Sequence, residues 1–539
     1  MDLRRWFFIF AVSFPAILFS ERYKIEGVDY ELEKTRQYAV EQAVKIDTKR
    51  VFESSEEFVS YIEDLKQKFS NERVFDSSDV SWSEENQNEN PQNEGDESSE
   101  VEESEESGEE KEEITLVRLR IVAKDSKHLL IVPYPKFGSS DGFNFKIKMK
   151  DMNFLGTMSP LTADIDFSVE PDDDDDDKDN FVFGINFDYD YPFALGPFDS
   201  SWNNNFGISW TIGEEVPEYA FSTGFTFSLP FDNFSLVFDI AQSLTRNTEY
   251  DEYGDTIYAT SDASFSIPVT VARIDNWADV TWTPSVGISV NYDTDGISRE
   301  NDDLSSPTLT FGHALSTGRY DWIGNFREGI ELSMGQSVGY NFQRENYIPR
   351  VEAQISAFKA FKYAGIASRL YTFAMMNSNE NIGSMLRGIR KNQKYADINK
   401  KALSTNAAIV FSLDVPIHIV STDWEGWICS IFGEESWMAH HFSWMRLFDF
   451  ELQLSPFGDL ALTHNEATGK SFAIKDGWYA GGIEVLVYPK KWRSLVVRGS
   501  LGIDAGRKIV NKVVSKLFDD SWRHLGSAYE IYIGVGLQY

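Results

Sequence analysis

From about residue 140 onward, apolar and polar positions alternate with a period of two. Phe143, Phe145, Ile147 and Met149 fall on one side of an extended segment, and Lys146, Lys148 and Lys150 on the other. The pattern recurs over 181–191, 219–231, 235–241, 285–292, 328–340 and 407–414, with Asn, Asp, Gly and Ser collecting in between. Successive side chains of a strand point to opposite faces, so each segment predicts a strand with one apolar face. A soluble sandwich produces similar alternation. A transmembrane antiparallel barrel produces it as roughly ten-residue segments joined by turn-rich connectors. Three features favour the barrel: the alternation runs for about 400 residues, aromatics recur at segment ends, and the chain closes on a strand. In that last strand Tyr529, Ile531, Ile533, Val535, Leu537 and Tyr539 share one face, and Glu530, Tyr532, Gly534, Gly536 and Gln538 the other. An uncapped apolar edge invites aggregation, whereas closure of a barrel removes the edge.

The first hundred residues read differently. Arg22–Val28 alternates like a short strand, Thr35–Val44 and Ser55–Phe69 read as helices, and Val74–Trp82 and Ile114–Ala123 as strands. In the second helix Phe58, Ile62, Leu65 and Phe69 keep the spacing of one buried face. Ser54 with Glu57 three residues later is a capping-box pattern. Residues 81–113 form an acidic insertion, in which Glu84–Glu113 holds 15 acids and one base. Such a run buries too little apolar surface to order itself and is expected to be a solvated hairpin insertion, with docking of a basic partner or of divalent cations as the sharper alternative. Asp172–Asp177 is a shorter run of the same kind.

Charge narrows the function. With 50 Lys and Arg against 86 Asp and Glu, the formal charge is −36, which argues against nucleic acid as a partner. One Cys excludes an internal disulfide framework. Residues 1–20 have the basic start, apolar stretch and small residue of a secretory signal peptide. The rival reading, a membrane anchor, needs about 20 apolar residues, and Trp6–Phe19 is shorter. No nucleophile elbow or phosphate-cradling glycine loop stands out, so no catalytic residues, metal or cofactor are assigned. His440-His441 sits among Trp424, Trp427, Trp437 and Trp444, which reads as an aromatic interfacial connection rather than a metal site.

Lys150-Asp-Met-Asn-Phe-Leu-Gly156, Leu386-Arg387-Gly388-Ile389 and Phe457-Gly-Asp459-Leu-Ala461 resemble motifs of the outer-membrane assembly-barrel superfamily of BamA and TamA type. Lys150-Asp-Met-Asn-Phe-Leu-Gly156 is similar to the D-x-N-x-L-G segment that closes the first barrel strand of these proteins. Leu386-Arg387-Gly388-Ile389 matches their V/I-R-G-F/Y loop except at the last position, and Phe457-Gly-Asp459-Leu-Ala461 matches the partner motif F/G-x-D-x-G with Ala in place of the last Gly. Val497-Arg498-Gly499-Ser500 also contains Arg-Gly, but it lies too near the C-terminus and reads as part of the penultimate strand.

The resemblance implies a mainly β fold: residues 1–20 as signal peptide, a periplasmic α/β POTRA-like domain over 21–130, and an outer-membrane barrel of about sixteen strands over 131–539. It implies that Arg387 enters the lumen and pairs with Asp459. It implies a non-enzymatic insertase or translocase whose clients are unfolded outer-membrane proteins or passenger polypeptides. Outer-membrane lipid is a further partner, and accessory periplasmic or lipoprotein subunits are candidates. A lateral gate is expected between a first strand carrying Phe143, Phe145, Ile147 and Met149 and a last strand carrying Tyr529, Ile531, Gly534, Gly536 and Tyr539. The alternatives are a dedicated two-partner-type secretion or lipid transporter, and a passive porin with an N-terminal module.

Overall fold

A computed structural model describes residues 22–84, 114–138, 142–171, 179–248, 253–274, 277–294, 296–297, 299–389, 403–465, 469–506, 509 and 529–537. The expected signal peptide, Asp172–Asp177 and Tyr539 lie outside these residues, as does the acidic insertion beyond residue 84. Residues 81–84 of that insertion are instead the end of strand Phe75–Glu84. The Trp82 ring sits edge-on to Phe58 at 5.2 Å and to Tyr23 at 6.1 Å, which gives this acidic edge an apolar hold.

The chain divides into two compact units. The smaller comprises 22–31, 45–66, 79–84 and 114–122 of the described residues. A four-stranded sheet is ordered 51–52, 22–32, 114–125, 75–84; most of helix Ser55–Asn71 falls in this unit, whereas helix Gln37–Ala43 falls in the larger one. The order strand, helix, helix, strand, strand is therefore as expected, with a two-residue strand added at Val51–Phe52. Tyr23, Ile25, Phe52, Phe58, Ile62, Leu65, Val80, Val117, Leu119 and Ile121 are among its buried side chains. Ser54 Oγ accepts the Glu57 N–H at 3.2 Å, the predicted cap.

The larger unit is a closed antiparallel barrel. Two of its strands are interrupted at proline, which has no N–H for the ladder. Ile257–Ser266 continues beyond Pro268 as Val269–Ile274, and Ala407–Asp414 continues beyond Pro416 as Ile417–Ser421. Both halves of each pair with the same neighbour. With each interrupted strand taken as one, and with the two-residue extension Lys470–Ser471 set aside, the described residues carry eighteen strands where about sixteen were expected.

The alternation sorts side chains between the two faces of the barrel wall. On Phe450–Asn465 the buried positions are Gln453, Ser455, Phe457, Asp459, Ala461, Thr463 and Asn465. On Asp179–Leu195 the exposed large apolar side chains are Phe181, Phe183, Ile185, Phe187 and Leu195. A barrel that is polar within and apolar outside is solvated by lipid around its girth. In agreement, Ile147 is exposed, whereas Lys146 meets Asp166 at 2.8 Å and Lys148 meets Asp164 at 3.8 Å.

The strand beside Tyr529–Val535 is Leu129–Gly138, not Gly142–Asp151. The expected first strand is thus the second. Pro133 and Pro135 interrupt the strand signal upstream, and no strand is expected from the sequence over 129–138. These prolines also lie on a particular edge. His128 O accepts the Met152 N–H at 3.0 Å, and the register from Leu129↔Asp151 onward is unbroken. Peptide groups of successive strand residues face alternate neighbours. Even-numbered residues therefore bond to 142–151, and residues 131, 133 and 135 face the closing seam.

Candidate functional site: an arginine-anchored loop inside the barrel

Between strands Gly365–Met375 and Ala407–Asp414 the chain turns inward. Ile382, Leu386 and Ile389 of this connection are buried in one apolar cluster with Phe373, Met375, Leu403, Ala408, Val410, Ala461, Trp478 and Ala480. Ala461, which replaces a motif glycine, is fully buried there. Ile389 replaces a motif aromatic and packs in the same cluster as an aliphatic side chain.

Burial of the two flanking apolar residues forces Arg387 inward between them. Its side chain is 1% exposed, so its charge must be met by protein. Nε donates to Asp459 Oδ2 at 2.9 Å and Nη2 to Asp459 Oδ1 at 2.8 Å, a bidentate fork. The backbone N–H of Arg387 adds a third bond to Asp459 Oδ2 at 3.0 Å. Nη1 donates to Asp414 Oδ1 at 2.7 Å and stands 3.2 Å from Glu484 Oε1. The ring of Phe457 lies over the guanidinium with its centroid 3.8 Å from Cζ. Burial works against the charge. The hydrogen bonds to Asp459 and the charges of Asp414, Asp459 and Glu484 outweigh it and hold the guanidinium pKa above its ordinary value.

Gly388 is required by geometry. Its φ is +92°, and a Cβ there would stand 2.5 Å from both Gly502 C and Ile503 N. Gly502 is equally constrained, since its Cβ would meet Gly388 N at 2.7 Å. Two glycines therefore let the loop backbone touch strand Val497–Asp504. The Gly388 N–H then donates to Glu530 Oε2 at 3.0 Å, which ties the loop to the last strand. Arg498, the decoy arginine, lies on the penultimate strand as expected, 3.7 Å from Glu484 and over the Tyr532 ring at 4.7 Å.

The structure thus brings together Leu386, Arg387, Gly388, Ile389, Phe457, Asp459 and Ala461. It adds Asp414, Glu484, Gly502 and Glu530, which the sequence reading missed. Each acid occupies an inward position of an alternating strand, and an acid at inward parity on a strand otherwise apolar outside is the signal that would have found it.

The expected gate residues divide. Tyr529, Ile531 and Ile533 face outward, and Gly534 is buried opposite Arg498. Phe145 and Met149 are half-buried on the strand one hairpin away from the seam. Phe143 belongs to that same strand. Gly536 is a turn and not a strand residue: its φ is +103° and the strand ends at Val535. The chain therefore changes face, and Leu537, expected outside, packs against Leu486, Tyr488 and Val496.

Asp151-Met-Asn-Phe-Leu-Gly156 makes a built turn. Asp151 Oδ1 accepts the Asn153 N–H at 3.0 Å, the buried Asn153 side chain donates to Thr35 Oγ1 at 2.8 Å, and its Oδ1 accepts the Met158 N–H at 2.8 Å. A Cβ on Gly156 would stand 2.4 Å from Lys34 O, so only glycine fits. This segment closes the second strand of the barrel, not the first.

No protein-family model matches the chain, and no curated protein matches it. Similar solved structures include CdiB from Acinetobacter baumannii, at 11% identity and TM-score 0.46, covering 96% of this chain and 74% of that one. CdiB from Escherichia coli is 7% identical, with TM-score 0.45 and coverage of 95% and 76%. BamA from Haemophilus ducreyi lacking POTRA domains 1–3 is 10% identical, with TM-score 0.36 and coverage of 95% and 85%.

Proposed function

We propose that the chain is a non-enzymatic outer-membrane translocase or insertase of the assembly-barrel superfamily, with a POTRA-like domain on its periplasmic side. The observation that carries this reading is the inward loop fixed by Arg387 to Asp459 and by Gly388 to Glu530. A passive porin needs no such joint between its lumen loop and its final strand. The clients are unfolded barrel precursors or passenger polypeptides. They would enter by β-augmentation, in which main-chain hydrogen bonds give sequence-tolerant affinity.

The seam supports lateral opening. Two of the seam-facing positions on 129–138 are proline and supply no N–H, and the partner strand Tyr529–Val535 spans seven residues. Each missing bond forfeits about 1 kcal/mol of net stabilisation, so the barrel is weakest where its ends meet. Opened strands would keep their backbone groups paired by recruiting a client strand, because unpaired groups in lipid are costly.

Depletion of the protein, followed by a census of the remaining outer-membrane barrels and secreted polypeptides, tests the proposal. Broad loss of barrels identifies an insertase, and loss of one exported protein a dedicated translocase. An unchanged census, with steady conductance of the purified protein in planar bilayers, would reject both.

A further inference from the structure

Residues 422–449 take no part in the site above. They connect Ile417–Ser421 to Phe450–Asn465 and hold helix Trp424–Phe432, the short helix Trp437–His441 and a 3-10 segment Ser443–Phe448. Asp423 caps the first helix by accepting the Gly426 N–H at 3.0 Å, and Ser436 caps the second by accepting the Ala439 N–H at 3.1 Å. Trp424, Trp427, Ile428 and Ile431 recur at i, i+3, i+4 and i+7, which puts one apolar stripe along the first helix, with Gly426, Cys429 and Ser430 away from it. A stripe of this kind faces a core in a soluble protein. Here no residue of the helix is buried, Ile431 is 72% exposed and Trp437 68%, and Trp427, Phe432, Trp444 and Phe448 are exposed as well.

We propose that 422–449 is a membrane-surface anchor whose aromatic face lies at the headgroup–acyl boundary of the bilayer around the barrel. Three observations select lipid as the occupant. First, the surface is continuous with the lipid-facing belt: Ile417 and Ile419, exposed on the strand that leads into it, sit directly upstream. Second, its exposed residues are of the type that settles at membrane interfaces, with Trp427, Trp437 and Trp444 among them. Third, it lies at one rim of the barrel. The Lys490 N–H donates to Asp449 O at 2.8 Å and its ammonium to Thr422 O at 2.5 Å, while Trp492 of the same turn donates to Leu129 O at 2.7 Å. The segment is therefore pinned where the chain enters its first barrel strand, at the level of one leaflet's headgroups. Its acids Asp423, Glu425, Glu434, Glu435 and Asp449 outnumber Arg446, so zwitterionic lipid suits it and anionic lipid adds no attraction. The proposal rests on the barrel spanning a membrane and is independent of what the barrel transports.

Cys429 lies on the helix face away from the apolar stripe, so an environment-sensitive fluorophore is attached instead to a thiol placed within the stripe by Ile428→Cys in a Cys429→Ser background. The full chain is labelled and folded into phosphatidylcholine vesicles, with heat-modifiable gel mobility reporting barrel integration. The expected result is blue-shifted emission, quenched several-fold more by a shallow nitroxide lipid than by aqueous iodide, and unchanged when phosphatidylglycerol is added. The double substitution Trp427→Lys with Ile431→Lys should return the emission to that of water while leaving the mobility shift intact. Water-like, iodide-accessible emission from integrated protein overturns the anchor alone. So does a blue shift that survives the lysine pair, or one that appears only at high protein density, which indicates a second copy as the occupant. Failure of the chain to integrate overturns the barrel and the anchor together.

Discussion

Among the described residues, replacing Arg387 by Ala removes the only cation placed among Asp414, Asp459 and Glu484 other than Arg498, which stands 3.7 Å from Glu484. Asp459 has no solvent exposure of its side chain and Glu484 has 4%, so neither carboxylate recovers hydration while the loop stays docked. Breaking a buried ion pair from one side costs about 3–5 kcal/mol, mostly from the charge left behind. The loop escapes that cost by leaving the lumen wall. Its docked-to-released ratio should therefore fall by roughly two to three and a half decades, at about 1.4 kcal/mol per decade. The assay is alkylation of a thiol installed by Leu386→Cys in a Cys429→Ser background, because Leu386 is fully buried when the loop is seated. The rate of maleimide labelling in folded protein should rise by at least a hundredfold in Arg387→Ala. Arg387→Lys should fall between the two, since an ammonium keeps the charge but loses the planar fork. Equal labelling rates in Arg387→Ala and its parent would refute the reasoning, because the arginine would then not be what seats the loop.

The exchange Arg387→Asp with Asp459→Arg should fail to restore docking in the same assay, because Asp414 and Glu484 remain and would face a third acid at position 387; full recovery would mean that Asp459 alone sets the pairing. Gly388→Ala should release the loop about as far as Arg387→Ala does, since its Cβ would press on strand backbone at 2.5 Å, and alkylation again reports it. Glu530→Gln should keep the loop seated but raise labelling by only a few fold, as one charged acceptor of a backbone N–H is replaced by a neutral one, worth about 1 kcal/mol. Pro133→Val with Pro135→Val should add two seam hydrogen bonds, about 2 kcal/mol together, raise the temperature at which the heat-modifiable band unfolds and slow client insertion; faster insertion would contradict a gate at this seam.

The barrel was legible because a two-residue period survives any detail of packing. Lys146 and Lys148 point inward and Ile147 outward as the pattern required. Arg387 and Asp459 were legible through the resemblance, since seventy-two residues of chain separate them and no local period links them. The rest of the site was not. Asp414 and Glu484 each look like an ordinary polar position of an alternating strand until three strands are laid side by side. The first strand was missed for a physical reason: its two prolines are tolerated only because they lie on the closing edge, and a sequence read alone does not show which edge that is. Leu537 was misplaced because the positive φ of Gly536 breaks the period that carried the strand up to Val535.

That edge is not symmetric. Residues 529–535 contain no proline and keep every amide on the border that faces 129–138, whereas 129–138 present a border with two amides missing. Once parted, the two lips would compete unequally for an arriving polypeptide. The carboxy-terminal lip can register a full ladder at once, and the amino-terminal lip can accept only an incomplete one. Growth of a nascent sheet would thus begin at one fixed side of the opening, and the weaker side would be the one that lets go.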